Sequence, residues 1–456
     1  MEIVRLDRDK KRALCILTAL VVFFMTMLAV CGVGVYNDSD QYITMHIHRE
    51  PLYPLFLWIF RTIVGEGYLP VAMAAQGILT ALGITVLSEY VARRFGLHFW
   101  EETLVILLQL LPHLMTRYVS ALHIFLENSV MSEALCIPLF QFFMYYLLRM
   151  VFENRRRDRV LSMVMAYLLS MTRGQMMTTI LMWALIFVIQ LVVRKKYRAI
   201  IIPLTAVVAV FGLRSLTVHV YNYFVTGYFM GNTYGQVNTL TNVIYACDEE
   251  DAEVFEEGSL ERAFFERFYV EADELGLNYK YGGDTFKERA AYLEEHHDIL
   301  KFQVLEADMS SYFFGLGKVD YYEQSSMSDE TAGRMIRKLL PVCFGQWLYD
   351  YMLLCRNGFV RSIAVVHPLI NWAALVLYLA AAGFCAYLLC VKGRCEASLT
   401  MGVALLFIAA NVCATSITIM CLSRYMIYGF SIFYIAFYLI LREIYFRIRE
   451  LHIGRH

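Results

Sequence analysis

The sequence predicts an all-α polytopic membrane protein of about ten transmembrane helices, with both termini in the cytoplasm. Of the 456 residues, 59% are hydrophobic and 18% are charged, whereas soluble domains are closer to about one half apolar and one quarter charged. Apolar stretches of bilayer length recur along the chain. Basic residues are concentrated in alternate connections between these stretches, as cytoplasmic loops require.

Nine apolar stretches have bilayer length, and a tenth is shorter. They are residues 13–34, 69–92, 102–122, 129–150, 160–171, 176–193, 199–216, 364–391, 398–421 and 425–446. The short stretch, 160–171, is counted as a span because the distribution of basic residues is consistent with ten spans and not with nine. The basic start and first apolar stretch resemble a signal peptide, but the stretch runs about 20 residues without a small-x-small cleavage site, so we expect a retained helix.

The basic residues define the orientation. With the N-terminus inside, the cytoplasmic connections and C-terminal tail carry Arg93, Arg94, Arg149, Arg155, Arg156, Arg157, Arg159, Arg194, Lys195, Lys196, Lys392, Arg394, Arg442, Arg447 and Arg449. The acidic stretch 248–257 falls on the opposite side. The positive-inside rule therefore predicts a multi-pass protein of the cell membrane with cytoplasmic N and C termini.

The spans divide the chain into three regions. Residues 1–216 form an N-terminal transmembrane module, 217–360 a mainly helical extracytoplasmic loop domain, and 361–456 a C-terminal transmembrane module. The first external loop contains an apolar stripe with helical spacing: Leu52, Leu55, Phe56, Ile59, Phe60 and Ile63. About 13 residues are too few to cross a bilayer, so we expect an amphipathic juxtamembrane helix lying along the outer face of the membrane.

Several classes of site have no signature in the sequence. None of the eleven cysteines forms a C-x-x-C pair or has zinc-ligand spacing, so no zinc site is predicted. Asp38 and Asp40 could hold a divalent ion, but Asp-x-Asp alone is a weak signal, and we expect no required metal and no cofactor. Cys247, Cys343 and Cys355 lie outside the apolar stretches, and a disulfide among them stays open. No phosphate-binding glycine loop, dinucleotide fingerprint or nucleophile elbow occurs. We expect no nucleic-acid partner, and a sugar donor would have to come from the membrane.

Two carboxylates directly follow the first predicted helix, in Asp38-Ser39-Asp40. A carboxylate held at the external membrane surface can act as a general base, taking a proton from a hydroxyl that attacks an activated sugar. The alternative is that Asp38 and Asp40 are ordinary solvated loop acids. Glu133 lies about one turn into the fourth apolar stretch, 129–150. It is either directed at a cavity or a partner, or favoured by the helix N-terminus.

Three arginines fall at the predicted external ends of spans: Arg117, Arg173 and Arg424. Arginine binds phosphate through two parallel hydrogen bonds, and the phosphate of a lipid carrier would lie at this level of the membrane. The alternative is that each contacts ordinary phospholipid headgroups. His46 and His48, beside Arg49 and Glu50, could also contact a phosphate or a sugar.

Four motifs occur in the order found in one family of membrane enzymes. They are Asp38-Ser39-x-x-Tyr42, Glu50-Pro51-Leu52-Tyr53-Pro54, Ser132-Glu133 and Thr172-Arg173-Gly174-Gln175, followed by the segment Tyr221-Asn222-Tyr223-Phe224-Val225-Thr226-Gly227. On these residues the chain resembles the polytopic glycosyltransferases of the C-type fold, in particular the bacterial branch that looks like protein mannosyltransferases and aminoarabinose transferases. Together we take these features to extend over most of the chain.

The resemblance implies a glycosyltransferase that moves a sugar from a polyprenyl-phosphate donor to a glycan, lipid or protein acceptor on the extracytoplasmic face, among membrane lipids. It implies Asp38 as the catalytic base and Arg173 as a phosphate-binding residue. The expected substrate-binding residues are Asp40, Tyr42, His48, Glu50, Glu133, Arg117, Arg173 and Arg424. A transporter or flippase, or a polymerase, of lipid-linked saccharides is the alternative function.

Overall fold

A computed structural model describes residues 2–119, 124–363, 368–393 and 395–453. These residues are helical throughout, with turns and without strands, apart from one isolated parallel bridge between Gly34 and Ser129. Within them, eight helical segments are long and apolar enough to cross a membrane. The protein is therefore an all-α polytopic membrane protein. The orientation of the termini stays a prediction.

The helices are numbered along the chain. They are α1 (Glu2–Cys31), α2 (Ser39–Ile43), α3 (Leu52–Val64), α4 (Tyr68–Phe95), α5 (Phe99–Val119), α6 (Ser132–Glu153), α7 (Arg156–Ser170), α8 (Thr178–Val193), α9 (Ile201–Thr226), α10 (Gly235–Tyr245), α11 (Leu260–Glu274), α12 (Phe286–Ile299), α13 (Ala307–Gly315), α14 (Tyr321–Leu339), α15 (Phe344–Val360), α16 (Pro368–Lys392), α17 (Glu396–Thr418), α18 (Ser423–Met426) and α19 (Phe430–Ile453). A π-helical turn, Leu300–Glu306, joins α12 to α13.

Two of the ten predicted spans, those over α5 and α7, are helices but are not among the eight apolar segments. The 15 residues of α7 would rise roughly 22 Å, less than the roughly 30 Å of a hydrocarbon core. The first turn of α5 contains Glu101 and Glu102. Residues 120–122 and 364–367 of the predicted spans, and Arg394 of the predicted cytoplasmic loops, lie outside the described residues.

The chain forms two compact units. The first contains residues 1–214, 360–411 and 423–456, and the second contains 215–359 and 412–422. In the first unit, α4 packs against both α1 and α6, and α6 packs against α7. Of the residues in the most apolar part of α1, 11% are buried, so most of its side chains are left to face lipid.

The first loop is held onto the segment that precedes α6. Gly32, with a φ of +70°, ends α1 and donates its N–H to the Leu28 carbonyl at 2.9 Å, a termination that glycine allows without steric cost. The Gly34 N–H then donates to the Asn128 carbonyl at 2.8 Å, and the Val130 N–H donates to the Gly34 carbonyl at 2.8 Å. These bonds fix where the loop leaves α1.

A serine fixes the next turn of the loop. The Ser39 hydroxyl donates to the Val130 carbonyl at 2.8 Å and accepts the N–H of Tyr36 at 2.8 Å. Asp38 directly precedes α2 and lies between Gly34 and Ser39, which both form hydrogen bonds with the segment before α6. The position of Asp38 thus follows from backbone contacts between segments about 90 residues apart.

The predicted juxtamembrane helix is α3, which packs against α2 and α4. Tyr53 and Leu57 are buried, whereas its other face leaves large apolar side chains exposed: Trp58, Ile59, Ile63 and Val64. An exposed apolar face on a 13-residue helix suits a helix lying at a membrane surface. Its placement along the outer face stays a prediction.

The second unit has a hydrophobic core of its own, built by α10, α11, α13, α14 and the π-helical turn. Phe265, Phe268 and Phe313 are among its fully buried side chains. The sequence predicts a mainly helical domain here, and α11 is an amphipathic helix of that domain. In the structure Phe264 and Phe268 of α11 lie in the core while Val270 is exposed.

We predict that Arg442→Met destabilises the first unit. The Arg442 Nε lies 2.6 Å from the buried Glu101 Oε1, which also accepts the Tyr438 hydroxyl at 2.7 Å. Removing one partner of a buried ion pair leaves an uncompensated charge and costs about 3–5 kcal/mol. Thermal unfolding in detergent should show a lower midpoint for Arg442→Met and no change for Arg449→Met, on the exposed face of the same helix. Equal midpoints would contradict the importance of this pair.

Candidate functional site

Asp38 lies between two arginines that come from distant parts of the chain. Its Oδ1 is 2.8 Å from the Arg49 Nη2, and its Oδ2 is 2.9 Å from the Arg424 Nη1. Arg49 belongs to the first loop, whereas Arg424 lies in α18, near the start of the last long helix. Each carboxylate oxygen of Asp38 therefore accepts a charge-assisted hydrogen bond.

Glu133, the second residue of α6, is a buried carboxylate next to this pair. Its side chain is 1% exposed, and its Oε2 is 2.6 Å from the Arg173 Nη1. The Arg424 Nε lies 3.9 Å from the other oxygen, Oε1. Arg424 thus lies between the two carboxylates. We call Asp38, Arg49, Glu133, Arg173 and Arg424 the Asp38–Glu133 cluster.

Two hydroxyl groups connect the ends of the cluster. The hydroxyls of Tyr42 and Ser132 are 2.9 Å apart, and the Ser132 hydroxyl also accepts the Arg173 Nη1–H at 3.0 Å. Arg49 donates to the Tyr42 hydroxyl at 3.3 Å and lies over the Tyr42 ring at 4.8 Å. Burial raises the pKa of the Tyr42 phenol, and the nearby Arg49 opposes that rise. Tyr42 therefore acts as a neutral connector between charged groups.

Tyr425 holds the two C-terminal members of the cluster in place. The guanidinium carbons of Arg173 and Arg424 lie 5.0 and 5.1 Å from the centre of its ring, within the range of cation–π attraction. The Tyr425 carbonyl accepts hydrogen bonds from Gln175 at 3.1 Å and from Asn411 at 2.9 Å. The turn that carries Arg424 is therefore anchored to the turn that carries Arg173.

A further ion pair adjoins the cluster. Glu50 pairs with Arg214, which lies within the apolar helix α9. A Cβ added at Gly174, next to Arg173, would lie 3.4 Å from the Glu50 Oε1, so this pair lies close to the cluster. A charged residue within a membrane-spanning helix is costly without a partner, and Glu50 supplies that partner.

The cluster contains cations with different accessibility. The Arg424 side chain is 42% exposed, whereas the Arg173 side chain is 14% exposed and bound to Glu133. Arg49 is intermediate. A ligand arriving from solution or lipid would therefore meet Arg424 and Arg49 first, while Glu133 and Arg173 form a buried base beneath them.

The charge state of Asp38 follows from its two arginines. Partial burial acts to raise its pKa, but the positive charges and hydrogen bonds of Arg49 and Arg424 outweigh burial and hold the pKa below its ordinary value. Asp38 is consequently ionised at neutral pH. In the ligand-free arrangement it is also a weaker base than a free carboxylate.

The structure brings together Asp38, Tyr42, Glu133, Arg173 and Arg424 from the predicted site residues, with Glu50 alongside. The contacts described for the other three predicted residues lie outside this cluster. Asp40 is exposed, the His48 ring packs edge-on to His46 at 4.4 Å, and Arg117 lies over Phe125 at 5.2 Å. None of these contacts joins the cluster.

Four contributing residues were not predicted as site residues: Arg49, Ser132, Arg214 and Tyr425. Arg214 carried a signal, because it is an arginine inside the predicted span 199–216, where a charge requires a partner. Arg49 stands next to Glu50, and Ser132 was noted only as part of a motif. Tyr425 has no signal in the sequence, since its role depends on the guanidinium of Arg173, which approaches from a distant part of the chain.

The arrangement is suited to binding an anion beside a carboxylate. Four guanidiniums face three carboxylates across the cluster and the adjoining Glu50–Arg214 pair, which leaves positive charge in excess. Among the described residues, no group of three or more histidines, cysteines or acids is placed to hold a metal ion.

Comparison with known proteins finds no matching family model, no matching curated protein and no matching solved structure.

We predict that Glu133→Gln destabilises the first unit and that Arg173→Met, added to it, restores part of the loss. Glu133→Gln alone leaves the Arg173 cation buried without its counter-charge, at a cost of about 3–5 kcal/mol. Removing the cation as well relieves that cost. Thermal unfolding of the two single variants and the double variant measures the coupling, with the exposed Glu66→Gln as control. Additive losses would show that the two side chains do not depend on each other.

Proposed function

We propose that this protein is a membrane glycosyltransferase, which moves a sugar from a polyprenyl-phosphate donor to an acceptor hydroxyl on the extracytoplasmic face. The observation that carries the proposal is the position of Asp38. It is an ionised carboxylate just beyond the end of α1, hydrogen-bonded to two partly exposed arginines. A base and a phosphate-binding pair therefore lie side by side, which is the combination that glycosyl transfer from a lipid phosphate needs.

Arg49 and Arg424 are the proposed phosphate ligands. Both present guanidinium groups that are already arranged around one anion, because each donates one hydrogen bond to the Asp38 carboxylate. Guanidinium also binds phosphate, often through two parallel hydrogen bonds. Arg173 was assigned to the phosphate by the resemblance. Because Arg173 is buried against Glu133, we propose that it contributes positive potential, while the more exposed Arg424 contacts the phosphate.

The proposed reaction is an inverting displacement. An oxygen of Asp38 accepts the proton of the acceptor hydroxyl as that hydroxyl oxygen bonds to the anomeric carbon of the sugar. The bond from the anomeric carbon to the phosphate oxygen breaks, and its electron pair leaves with the polyprenyl phosphate. The arginines stabilise the negative charge that develops on the departing phosphate oxygen.

Donor binding would also raise the basicity of Asp38. The positive charges of the two arginines lower the pKa of Asp38. A phosphate competes with the carboxylate for the same guanidinium N–H groups and adds a negative charge nearby, and both effects raise the pKa of Asp38. The base would then be strongest when the donor is in place, which disfavours proton transfer in its absence.

The surroundings suit a lipid-linked donor. The exposed apolar face of α3 begins close to Arg49 in the chain and offers Trp58, Ile59 and Ile63 to an isoprenoid chain. The alternative of a transporter or flippase is less well supported, because transporters bind their substrates near the middle of the membrane at broken helices. The cluster instead lies at helix ends: Glu133 opens α6, and Arg173 and Arg424 lie in short turns. A polymerase of lipid-linked saccharides would share the donor chemistry.

We predict that Asp38→Asn lowers the rate of sugar transfer by roughly 10²–10⁴-fold, the range for loss of a general base. The matched control is Asp40→Asn, which changes an exposed carboxylate two residues away and should leave the rate within about twofold. The measurement is transfer of label from a panel of polyprenyl-phosphate sugars in membranes that contain the protein and native acceptors.

Equal rates for wild type and Asp38→Asn would remove Asp38 as the base. If no donor in the panel supports transfer by folded wild-type protein, but labelled lipid-linked saccharide crosses the membrane without forming a new glycosidic bond, the transporter alternative replaces the proposal.

We predict that Arg49→Gln shifts the acid limb of kcat/KM upward by roughly one pH unit, because loss of a neighbouring cation raises a carboxyl pKa by about that much or more. The base works only when ionised, so activity falls as the pH drops through the pKa of Asp38, and a higher pKa moves that fall to higher pH. The measurement is the pH profile of kcat/KM, which reports the free enzyme. Arg61→Gln, on the exposed face of α3, is the control. A profile of unchanged shape would contradict the assignment of the limb to Asp38.

A further inference from the structure

Two cysteines of the second unit approach each other in its core. Cys247 follows α10 and Cys343 precedes α15, and both are buried. The Sγ of Cys247 is 3.2 Å from the Val243 carbonyl oxygen, and the Sγ of Cys343 is 4.0 Å from the same oxygen. Because both sulfurs lie beside the same oxygen, the two thiols are close enough to interact electrostatically. Cys355, the third cysteine outside the apolar stretches, contacts Cys413 instead.

We infer that Cys247 and Cys343 are oxidised to a disulfide while the second unit folds. The inference rests on the predicted placement of residues 217–360 outside the cytoplasm, where disulfides form and persist. It does not depend on the proposed function, since it concerns a unit that contains none of the Asp38–Glu133 cluster.

The oxidant is a protein of the thiol–disulfide oxidoreductase class acting outside the cytoplasm. One cysteine, as the thiolate, attacks a sulfur of the oxidant's disulfide and forms a mixed disulfide. The thiolate of the second cysteine then displaces the oxidant, which leaves as a dithiol. One sulfur–sulfur bond forms in the chain, one breaks in the oxidant, and two electrons and two protons pass to the oxidant.

Burial fixes when this exchange can take place. In the folded unit the contact with Cys343 and the burial of the site both raise the pKa of the Cys247 thiol. A thiolate is therefore scarce, and an oxidant protein cannot reach two sulfurs inside a closed core. The exchange must precede closure of the core, so the disulfide should be present in all mature protein and should not respond to reductant outside the cell unless the unit opens.

The bond would join the end of α10 to the start of α15 across the whole helical unit. The chain between the two cysteines holds α11 to α14 and forms a loop of roughly 100 residues. Closing a loop of that length in the unfolded state favours the folded unit by up to about 3,000-fold, less if the bond strains the native packing. The disulfide would thus stabilise the folded unit against opening.

The chain contains its own control for the side of the membrane. Cys385 and Cys395 are also buried and lie near enough to interact electrostatically. Cys385 lies in the last two turns of α16 and Cys395 directly precedes α17, at the connection that is predicted to be cytoplasmic. Proximity alone would predict a disulfide there as well, whereas the redox compartment predicts two free thiols.

The test is peptide mapping by mass spectrometry of full-length protein from cells whose thiols are alkylated at the moment of lysis. Before digestion the protein is denatured in excess alkylating agent, so that buried free thiols are labelled too. The expected result is a reductant-sensitive peptide linking Cys247 to Cys343, and alkylated peptides for Cys385 and Cys395. Cys343→Ser should abolish the linked peptide and leave Cys247 alkylated.

Recovery of Cys247 and Cys343 as alkylated peptides from wild-type protein would overturn the inference, whatever the state of other cysteines. Because the decisive measurement uses the wild-type chain, it holds even if Cys343→Ser fails to fold. The outcome is also independent of sugar transfer: a disulfide without transfer would leave this inference standing and the proposed function refuted.

Discussion

The candidate site depends on the buried ion pair between Glu133 and Arg173. The Glu133 carboxylate, at the second position of α6, is 1% exposed and requires a cation. Arg173, in the turn that precedes α8, supplies it, with its Nη1 2.6 Å from the Glu133 Oε2. That contact places Ser132 against Arg173, Tyr42 against Ser132, and Arg49 against Tyr42. Asp38 is the end of this series of contacts. Its backbone is held by the contacts of Gly34 and Ser39 with the segment before α6, and its carboxylate is bound and kept ionised by Arg49 and Arg424.

The sequence predicted the helical, membrane-spanning class because bilayer-length apolar stretches are a one-dimensional property. It also predicted Asp38, Glu133 and Arg424 as members of one site, since each is a charged residue at the edge of an apolar stretch. It could not separate Asp38 from Asp40. The two carboxylates stand in nearly the same sequence context, and the difference arises only when Ser39 bonds to the Val130 carbonyl and turns Asp38 toward Arg424.

The arginines show a second limit of sequence reasoning. Arg117 and Arg424 look alike in the sequence, as basic residues at the ends of apolar stretches. In the structure Arg117 lies over Phe125, whereas Arg424 bridges two carboxylates. Arg214 was overlooked because its partner, Glu50, lies more than 160 residues earlier in the chain. A sequence can show that a charge in an apolar helix needs a partner, because an unpaired charge there is costly. Which residue is that partner depends on the fold.

The central claim is that the Asp38–Glu133 cluster binds the phosphate of a lipid carrier. The most direct measurement is the change in unfolding temperature of purified protein on adding a polyprenyl monophosphate, compared with the polyprenol of the same chain length. The two lipids differ only in the phosphate, so the account predicts stabilisation by the phosphate and little by the alcohol, with the difference lost in Arg424→Gln. Equal stabilisation by the two lipids, or a phosphate effect that persists in Arg424→Gln, would contradict it.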